Sequence, residues 1–274
     1  MRSIRLIFLI VLSGFRFPAE AQSDSVKRAL ISTIPDKNYF KSYLIDSKDI
    51  VCSPFRWNAY QWIGATAVVG TTVVLFTQDA EIQRIFQQNQ TPFITNFSKY
   101  FLEPWGSGLY TIPALGILYG CGAIWKNDKA KAISLKGVEA FILSTISAQI
   151  IKQITHRHRP FQDDPPNPDL WEGPFAPITY TSFPSGHSAV VFAVATVIGS
   201  AYKETIWVPV LCYSIAGMTA LSRIYDNKHW ASDVLFGSVL GFAIGKTVYR
   251  NGYGRLKLLP VSQTGAGVTI IYKL

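Results

Sequence analysis

Six apolar runs dominate the chain, separated by short polar segments. The first, Ala59 to Phe76, holds no charged residue. The others are Gly108 to Trp125, Val138 to Ile154, Ala189 to Ala201, Ile206 to Leu221 and Val234 to Val248. Each is at or just below the length that crosses a bilayer as a helix. All are rich in Ala, Gly, Ser and Thr, and Gly237, Gly241 and Gly245 recur every fourth residue, a small-residue face for close helix packing. Residues 79–101 have a different pattern. Ile82, Ile85 and Phe86 recur at helical spacing, as do Phe93, Phe97, Tyr100 and Phe101 beyond Pro92. They predict two short amphipathic helices, lying at an interface or packed on the body. The predicted fold is all-α: a transmembrane six-helix bundle over residues 59–250. The same runs also fit buried helices of a soluble bundle, and a mean hydropathy of +0.20 is modest for a multi-span protein.

The two ends differ from this body. Residues 1–21 read as a secretory signal. Arg2 and Arg5 precede an apolar core from Leu6 to Leu12, and Ala19-Glu20-Ala21 fits a small-x-small cleavage site. An uncleaved anchor is the alternative. Residues 22–58 form a polar segment of mixed charge, with Ser23-Asp24-Ser25 as a candidate helix cap. In the tail, 251–274, Val268, Ile270, Tyr272 and Leu274 alternate as in a strand, with no evident partner.

Composition narrows the class. Charged residues make up 16% of the 274 positions, well below the usual quarter of a soluble domain. The net charge of +9 is scattered between apolar runs and forms no stripe, which fits basic loops of a membrane protein and argues against a nucleic-acid partner. The three cysteines, Cys52, Cys121 and Cys212, have neither disulfide-framework nor metal-ligand spacing and read as small buried apolar residues.

Three polar stretches at the ends of these runs carry the candidate chemistry. Lys152 and Arg159 stand seven apart, two helical turns, before Pro160. They are expected to point from one helix face toward one ligand. Pro184-Ser185-Gly186-His187 feeds into the fourth run, so Ser185 and Gly186 sit at a helix N-terminus with free N–H groups and a favourable dipole for anions. Ser222-Arg223 precedes His229 and Asp233, whose spacing of four stacks a carboxylate beneath an imidazole at the start of the sixth helix. Cations and N–H donors together describe a cradle for a tetrahedral oxyanion, most simply phosphate. Two histidines suit nucleophile and general-acid roles. No acid cluster stands ready for a metal, so the site reads as metal-independent and calls for no cofactor.

Lys-x6-Arg-Pro, Pro-Ser-Gly-His and Ser-Arg-x5-His-x3-Asp, in that order, resemble the signature of the type 2 phosphatidic acid phosphatase and vanadium haloperoxidase superfamily over roughly residues 59–250. The resemblance implies an all-α bundle with the site at one membrane face. It implies that His229 attacks phosphorus to form a phosphohistidine, that Asp233 orients His229, and that His187 protonates the leaving oxygen and later activates water. Lys152, Arg159, Ser185, Gly186 and Arg223 would hold the phosphoryl oxygens. The expected substrate is a membrane lipid phosphate: a polyprenyl diphosphate, phosphatidic acid, phosphatidylglycerol phosphate or lipid A. A secreted soluble acid phosphatase, and further behind a vanadate-dependent haloperoxidase, are the alternatives. His156 and His158 fall in the variable part of the first motif, and the loop 161–183, with Trp171, Phe175 and Tyr180, is a candidate lid or lipid-contacting rim.

Topology carries a conflict. Lys126, Lys129, Lys131 and Lys136, with Lys246, Arg250, Arg255 and Lys257, mark cytoplasmic segments, which turns the site toward the periplasm or exterior. A cleaved signal followed by six spans would turn it inward. The outward orientation is the expectation.

Overall fold

A computed structural model describes residues 32–174, 176, 179–253, 256–260 and 268–272. The signal-like segment 1–21, the Ser23-Asp24-Ser25 cap, Phe175, Arg255 and Leu274 lie outside the described residues. The helices are α1 (Lys37–Cys52), α2 (Ala59–Gln88), α3 (Pro92–Phe97), α4 (Glu103–Ser107), α5 (Thr111–Ile124), α6 (Asp128–Thr155), α7 (Gly186–Ala201), α8 (Trp207–Tyr225) and α9 (Ala231–Tyr253).

Each of the six apolar runs forms a helix; five reach beyond the predicted bounds at one end or both, and the second is trimmed to Thr111–Ile124. Asn58 and Gln61 cap α2 reciprocally. Nothing between Thr77 and Gln88 breaks a helix, so α2 continues to Gln88. Ile82, Ile85 and Phe86 are therefore its last turns and form no separate amphipathic helix. The second predicted amphipathic segment is present: α3 runs through a π-helical turn, Ser98–Leu102, into α4, which ends at Gly108 with φ +93°. Asn127 caps α6, which starts at Asp128, ten residues ahead of the predicted run. Its first half is charged, but Lys136 is buried and pairs with Glu139 at 2.8 Å and with Asp46 of α1 at 3.2 Å. Lys136 is thus a helix residue tying α1 to α6, and it drops out of the loop charges. The three cysteines are free and half-buried, less enclosed than their apolar surroundings suggested.

α7 is the centre of the bundle. It packs on α6, α8 and, most extensively, α9. Twelve of its 16 residues are buried. The glycine face of α9 explains the tightest of these contacts. A Cβ at Gly237, Gly241 or Gly245 would come closer than 3.0 Å to the carbonyl oxygens of Ser185, Ala189 and Ala193 respectively. Ile133, Leu143, Val197, Ile244 and Val248 fill the core between α6, α7 and α9.

Four helices, α2, α6, α8 and α9, are long and apolar enough to cross a membrane, and the bent pair of Pro92–Ser107 with α5 would make a fifth. α7, about 24 Å long, falls short of a ~30 Å hydrocarbon core but is wrapped by its neighbours. The most apolar stretch of α2 has no buried residue, and Val69, Val73 and Val74 are more than half exposed. Such a surface calls for lipid, and the chain is a multi-pass membrane protein. In the tail, Leu256–Pro260 (β1) pairs antiparallel with Val268–Tyr272 (β2), Leu258 facing Ile270. The strand expected at the C-terminus therefore has a partner in Leu256-Lys-Leu-Leu-Pro, whose adjacent leucines hide the alternation.

Candidate active site

The three motifs converge where α6 and α8 end and α7 and α9 begin. His156 adopts the left-handed conformation at φ 42° and ends α6. Lys152 sits in the last turn, but Arg159 lies past the helix end, so the two do not share a helix face. The chain returning at Thr181-Ser182 brings them together instead. Lys152 Nζ donates to the carbonyl of Thr181 and, at 3.4 Å, to that of Ser182, while Arg159 Nη2 donates to Thr181 Oγ1 at 3.2 Å.

Ser185 is the N-cap of α7. Its Oγ accepts from Ser188 N at 3.4 Å and from the Ser188 hydroxyl at 2.9 Å, which leaves its own proton available. Its backbone N–H donates to Asp233 O at 3.0 Å and ties the second motif to the third. Gly186 is open on its outer side; a Cβ there would meet only Lys152 Cε, at 3.8 Å. The His187 ring lies against Gly106, where any Cβ would collide with it. His187 also lies within electrostatic reach of Lys152, Arg159 and Arg223.

Arg223 is buried at the end of α8. Its guanidinium donates to Asp226 Oδ2 at 2.6 Å and to Ser222 Oγ at 3.0 and 3.1 Å, and stands 3.9 Å from Glu103. His229 precedes α9, and its backbone N–H donates to Arg223 O at 3.2 Å. Nδ1 of His229 lies 3.7 Å from Asp233 Oδ2, an ion-pair separation longer than a hydrogen bond, so the expected stack is loose. Asp233 Oδ2 instead accepts from Trp230 N at 2.9 Å and from Ser182 Oγ at 2.5 Å. It caps α9 while facing the imidazole. Burial, reinforced by the Lys152 and Arg159 charges, holds His229 down at about 3 despite Asp233. The imidazole is neutral at ordinary pH and can act as a nucleophile.

Sequence reasoning missed Arg157 and Asp79. Arg157 is fully buried. It donates to Asp233 Oδ1 at 2.6 Å, to Ser232 Oγ at 2.8 Å, to Asp79 Oδ2 of α2 at 2.8 Å and to Pro168 O. The rings of Phe76, Trp171 and Trp230 surround its guanidinium. A signal existed: Asp79 is the first charge after an uncharged apolar run, and a charge there demands a partner. His156 and His158 serve the loop. His156 Nδ1 meets Gly173 O at 2.7 Å, and His158 lies between Asp163 at 2.9 Å and Glu172 at 3.0 Å, stacked on Tyr180. The loop is pinned to the end of α6, for example by Glu172 N to His156 O and Ser182 N to Arg157 O.

Three polar atoms at this convergence, Arg159 Nε, His187 Nε2 and His229 Nδ1, are buried without a hydrogen-bond partner among the described residues. With three cations and a helix N-terminus beside them, the arrangement can take an oxyanion and present an imidazole to it.

Residues 135–257 match the PAP2 superfamily. Lipid A 1-phosphatase of Porphyromonas gingivalis is 45% identical over 69 residues, 25% of this chain but only 16% of that protein's length. Decaprenylphosphoryl-5-phosphoribose phosphatase of Mycobacterium tuberculosis is 33% identical over 139 residues, 51% of this chain and 72% of its relative. Undecaprenyl-diphosphatase of Sulfolobus acidocaldarius is 26% identical over 179 residues, 65% of this chain and 77% of its relative. The chain belongs to the PAP2 superfamily.

Proposed function

We propose that the protein is a metal-independent phosphatase that removes a phosphate from a membrane lipid, acting on a phosphomonoester or diphosphate through a phosphohistidine. The observation that carries this reading is the convergence of Lys152, Arg159 and Arg223 with the α7 N-terminus around His187 and His229, at the ends of lipid-facing helices. The names of the relatives, all acting on lipid-linked phosphates, support the substrate class.

The phosphoryl oxygens lie among the three cations, the Ser185 hydroxyl and the Gly186 N–H. The lone pair on His229 Nε2 attacks phosphorus, and the bond to the lipid oxygen breaks. Positive charge develops on the imidazole, and Asp233, facing Nδ1, stabilises it. His187, which gains its proton once the bound phosphate offsets the charges of Arg223, Lys152 and Arg159, gives that proton to the departing alkoxide. A water then attacks the phosphohistidine, His187 takes a proton from that water, and phosphate leaves with His229 restored. Preorganised cations meeting the charge of the transition state are the main source of acceleration.

An outward-facing site is part of the proposal. α1, with Lys37, Lys41 and Lys48, packs on α6 and on the C-terminal end of α9, away from the site, where Asn251 bonds Asp46 at 2.7 Å. These lysines join Lys126, Lys129, Lys131, Lys246 and Arg250 at the non-catalytic end, so the positive-inside rule still favours it after Lys136 is removed from the count. This orientation puts residues 32–58 inside.

The test is fractionation with activity. Membranes and soluble fractions are assayed for phosphate release from a lipid phosphate and from a small soluble ester, with His229→Ala as control. Membrane-bound activity that prefers the lipid is expected. Soluble activity on the small ester would overturn the reading in favour of a secreted acid phosphatase.

A further inference from the structure

Helix α1 turns polar residues toward the protein and apolar ones away from it. Tyr39 donates to the carbonyl of Leu135 in α6 at 3.0 Å, and Ser42 donates to Glu139 at 2.9 Å. Asp46 pairs with Lys136 at 3.2 Å, and Asn251 of α9 donates to Asp46 and Asp49 at 2.7 and 2.8 Å. These bonds fix which side of α1 faces the bundle. Away from it, Phe40, Leu44 and Val51, spaced by four and then seven residues, are 61, 74 and 71% exposed. A helix between a core and water has the reverse order. The outer face of α1 therefore calls for an apolar medium.

A second row runs beside the first. Lys37, Lys41 and Lys48 repeat the same spacing, each three positions before one of the apolar residues and so about 60° round the helix. All three are exposed. Beyond them the surface passes to exposed Asn38 before it reaches the side that binds α6 and α9. A helix lying flat on a bilayer beside its own protein has this order: acyl chains under the apolar row, headgroups at the lysines, water above. Lysine stems can lie over apolar surface while their ammonium groups stay at headgroup level.

Aromatic residues mark the same level. Phe55 follows α1 in a short 3-10 turn, and Tyr60 and Trp62 open α2; all three are more than half exposed. Trp125 after α5 and Trp207 at the start of α8 are also exposed, at the same non-catalytic end of the bundle. Such belts sit where hydrocarbon meets headgroups.

We infer that α1 is an in-plane docking helix for the surface of the bilayer leaflet at the non-catalytic end, with its lysine row selecting anionic phospholipid headgroups. The inference goes beyond the phosphatase reading and needs only a bilayer around the bundle. Charge complementarity sets the occupant: three lysines in one row, flanked by an apolar row, fit an anionic lipid surface, and a purely hydrocarbon or protein cover would leave the lysines without a role.

The test places a nitrobenzoxadiazole fluorophore on α1 of the full chain in nanodiscs. Leu44→Cys, Val51→Cys and Asn38→Cys are each made in a Cys52→Ser, Cys121→Ser, Cys212→Ser background. Lipids brominated on the acyl chain are expected to quench the label at positions 44 and 51 and not at 38, whereas iodide in solution quenches it at 38 and spares the other two. In mixed phosphatidylcholine and phosphatidylglycerol discs, bromine carried on the phosphatidylglycerol should quench as if that lipid were enriched about fivefold near α1, the equivalent of one lysine at an anionic surface. Lys37→Gln, Lys41→Gln and Lys48→Gln together should bring that enrichment to about one while position 44 stays quenched by bromine. Quenching of positions 44 and 51 by iodide and not by bromine would overturn the docking. Shielding of both from either quencher would also overturn it, in favour of a protein cover from a second copy or from residues 1–31. Equal quenching by the two brominated lipids in the lysine-bearing protein would overturn the anionic selectivity. Docking in a protein that releases no phosphate would still support the inference and would count against the phosphatase reading alone.

Discussion

Replacing Arg157 with Met keeps much of its length and removes its charge. Two fully buried carboxylates, Asp79 and Asp233, then lose donors at 2.8 and 2.6 Å. Removing one partner from a buried ion pair costs about 3–5 kcal/mol, because the other charge is left without compensation. Against a total stability of about 5–15 kcal/mol, that is a large fraction. Catalysis should suffer separately. Asp233 is held from one side by Arg157 and from the other by Ser182 and Trp230, and it is the acid that faces His229. Without Arg157, Oδ1 loses its partner and only the Ser182 and Trp230 contacts to Oδ2 keep the carboxylate facing Nδ1. Thermal unfolding in detergent and phosphate release should both fall for Arg157→Met. Adding Asp79→Asn removes one stranded charge and should recover part of the stability but little of the turnover. A single variant that melts and turns over like the wild type would refute the network. So would a double variant that recovers turnover in step with stability.

Other outcomes follow from the same contacts. Gly237→Ala and Gly245→Ala drive a Cβ equally close to an α7 carbonyl, so each should cost about 1–3 kcal/mol by overpacking. Gly237 touches Ser185 beside the site, and Gly245 touches Ala193 deeper in the bundle, so only the first should also depress kcat beyond its effect on stability. Equal kcat in the two variants would count against close packing as the device that sets the site. Gly106→Ala should reduce turnover by displacing the His187 ring, with a smaller effect on substrate affinity measured by competition with vanadate. With His229 lowered to about 3 by burial and neighbouring cations, the nucleophile is neutral through about pH 5–8 and gains its proton only as pH falls through that low value. Its contribution to the acid limb of kcat/KM should appear below about pH 4, and a limb near 6.5 that stays fixed across substrates of different phosphate ionisation would contradict this.

The helices were legible because apolar runs this long have few alternative structures. Their ends were less so. Capping at Asn127 started α6 ahead of its apolar run, through a charged stretch that hydropathy assigns to a loop, and α2 ran on past its own apolar run into the segment expected to form a separate amphipathic helix. The glycine period on α9 was readable, since a small-residue face has one main use, and it packs on α7 as expected. Lys152, Ser185, Gly186, His187, Arg223, His229 and Asp233 could be named from spacing and resemblance. How they meet could not. The helical repeat suggested that Arg159 shares a face with Lys152, but a left-handed residue at His156 ends α6 first, and the pairing is made by Thr181 and Ser182. Arg157 and Asp79 are 78 positions apart, and no local pattern joins them. Gly106 lay between the aromatic segment and the second apolar run, where no pattern marked it, and only three-dimensional contact shows that His187 needs its missing side chain.

The most direct test of the central claim is to trap the phosphoenzyme. Purified protein is mixed with a lipid carrying ³²P in its terminal phosphate and quenched in alkali within one turnover, where a phosphoramidate survives. The account predicts label on the protein, lost on acid treatment and located by peptide mapping at His229, and no label in His229→Ala. Label on another residue, or turnover in the wild type with no labelled protein at any quench time, would contradict it.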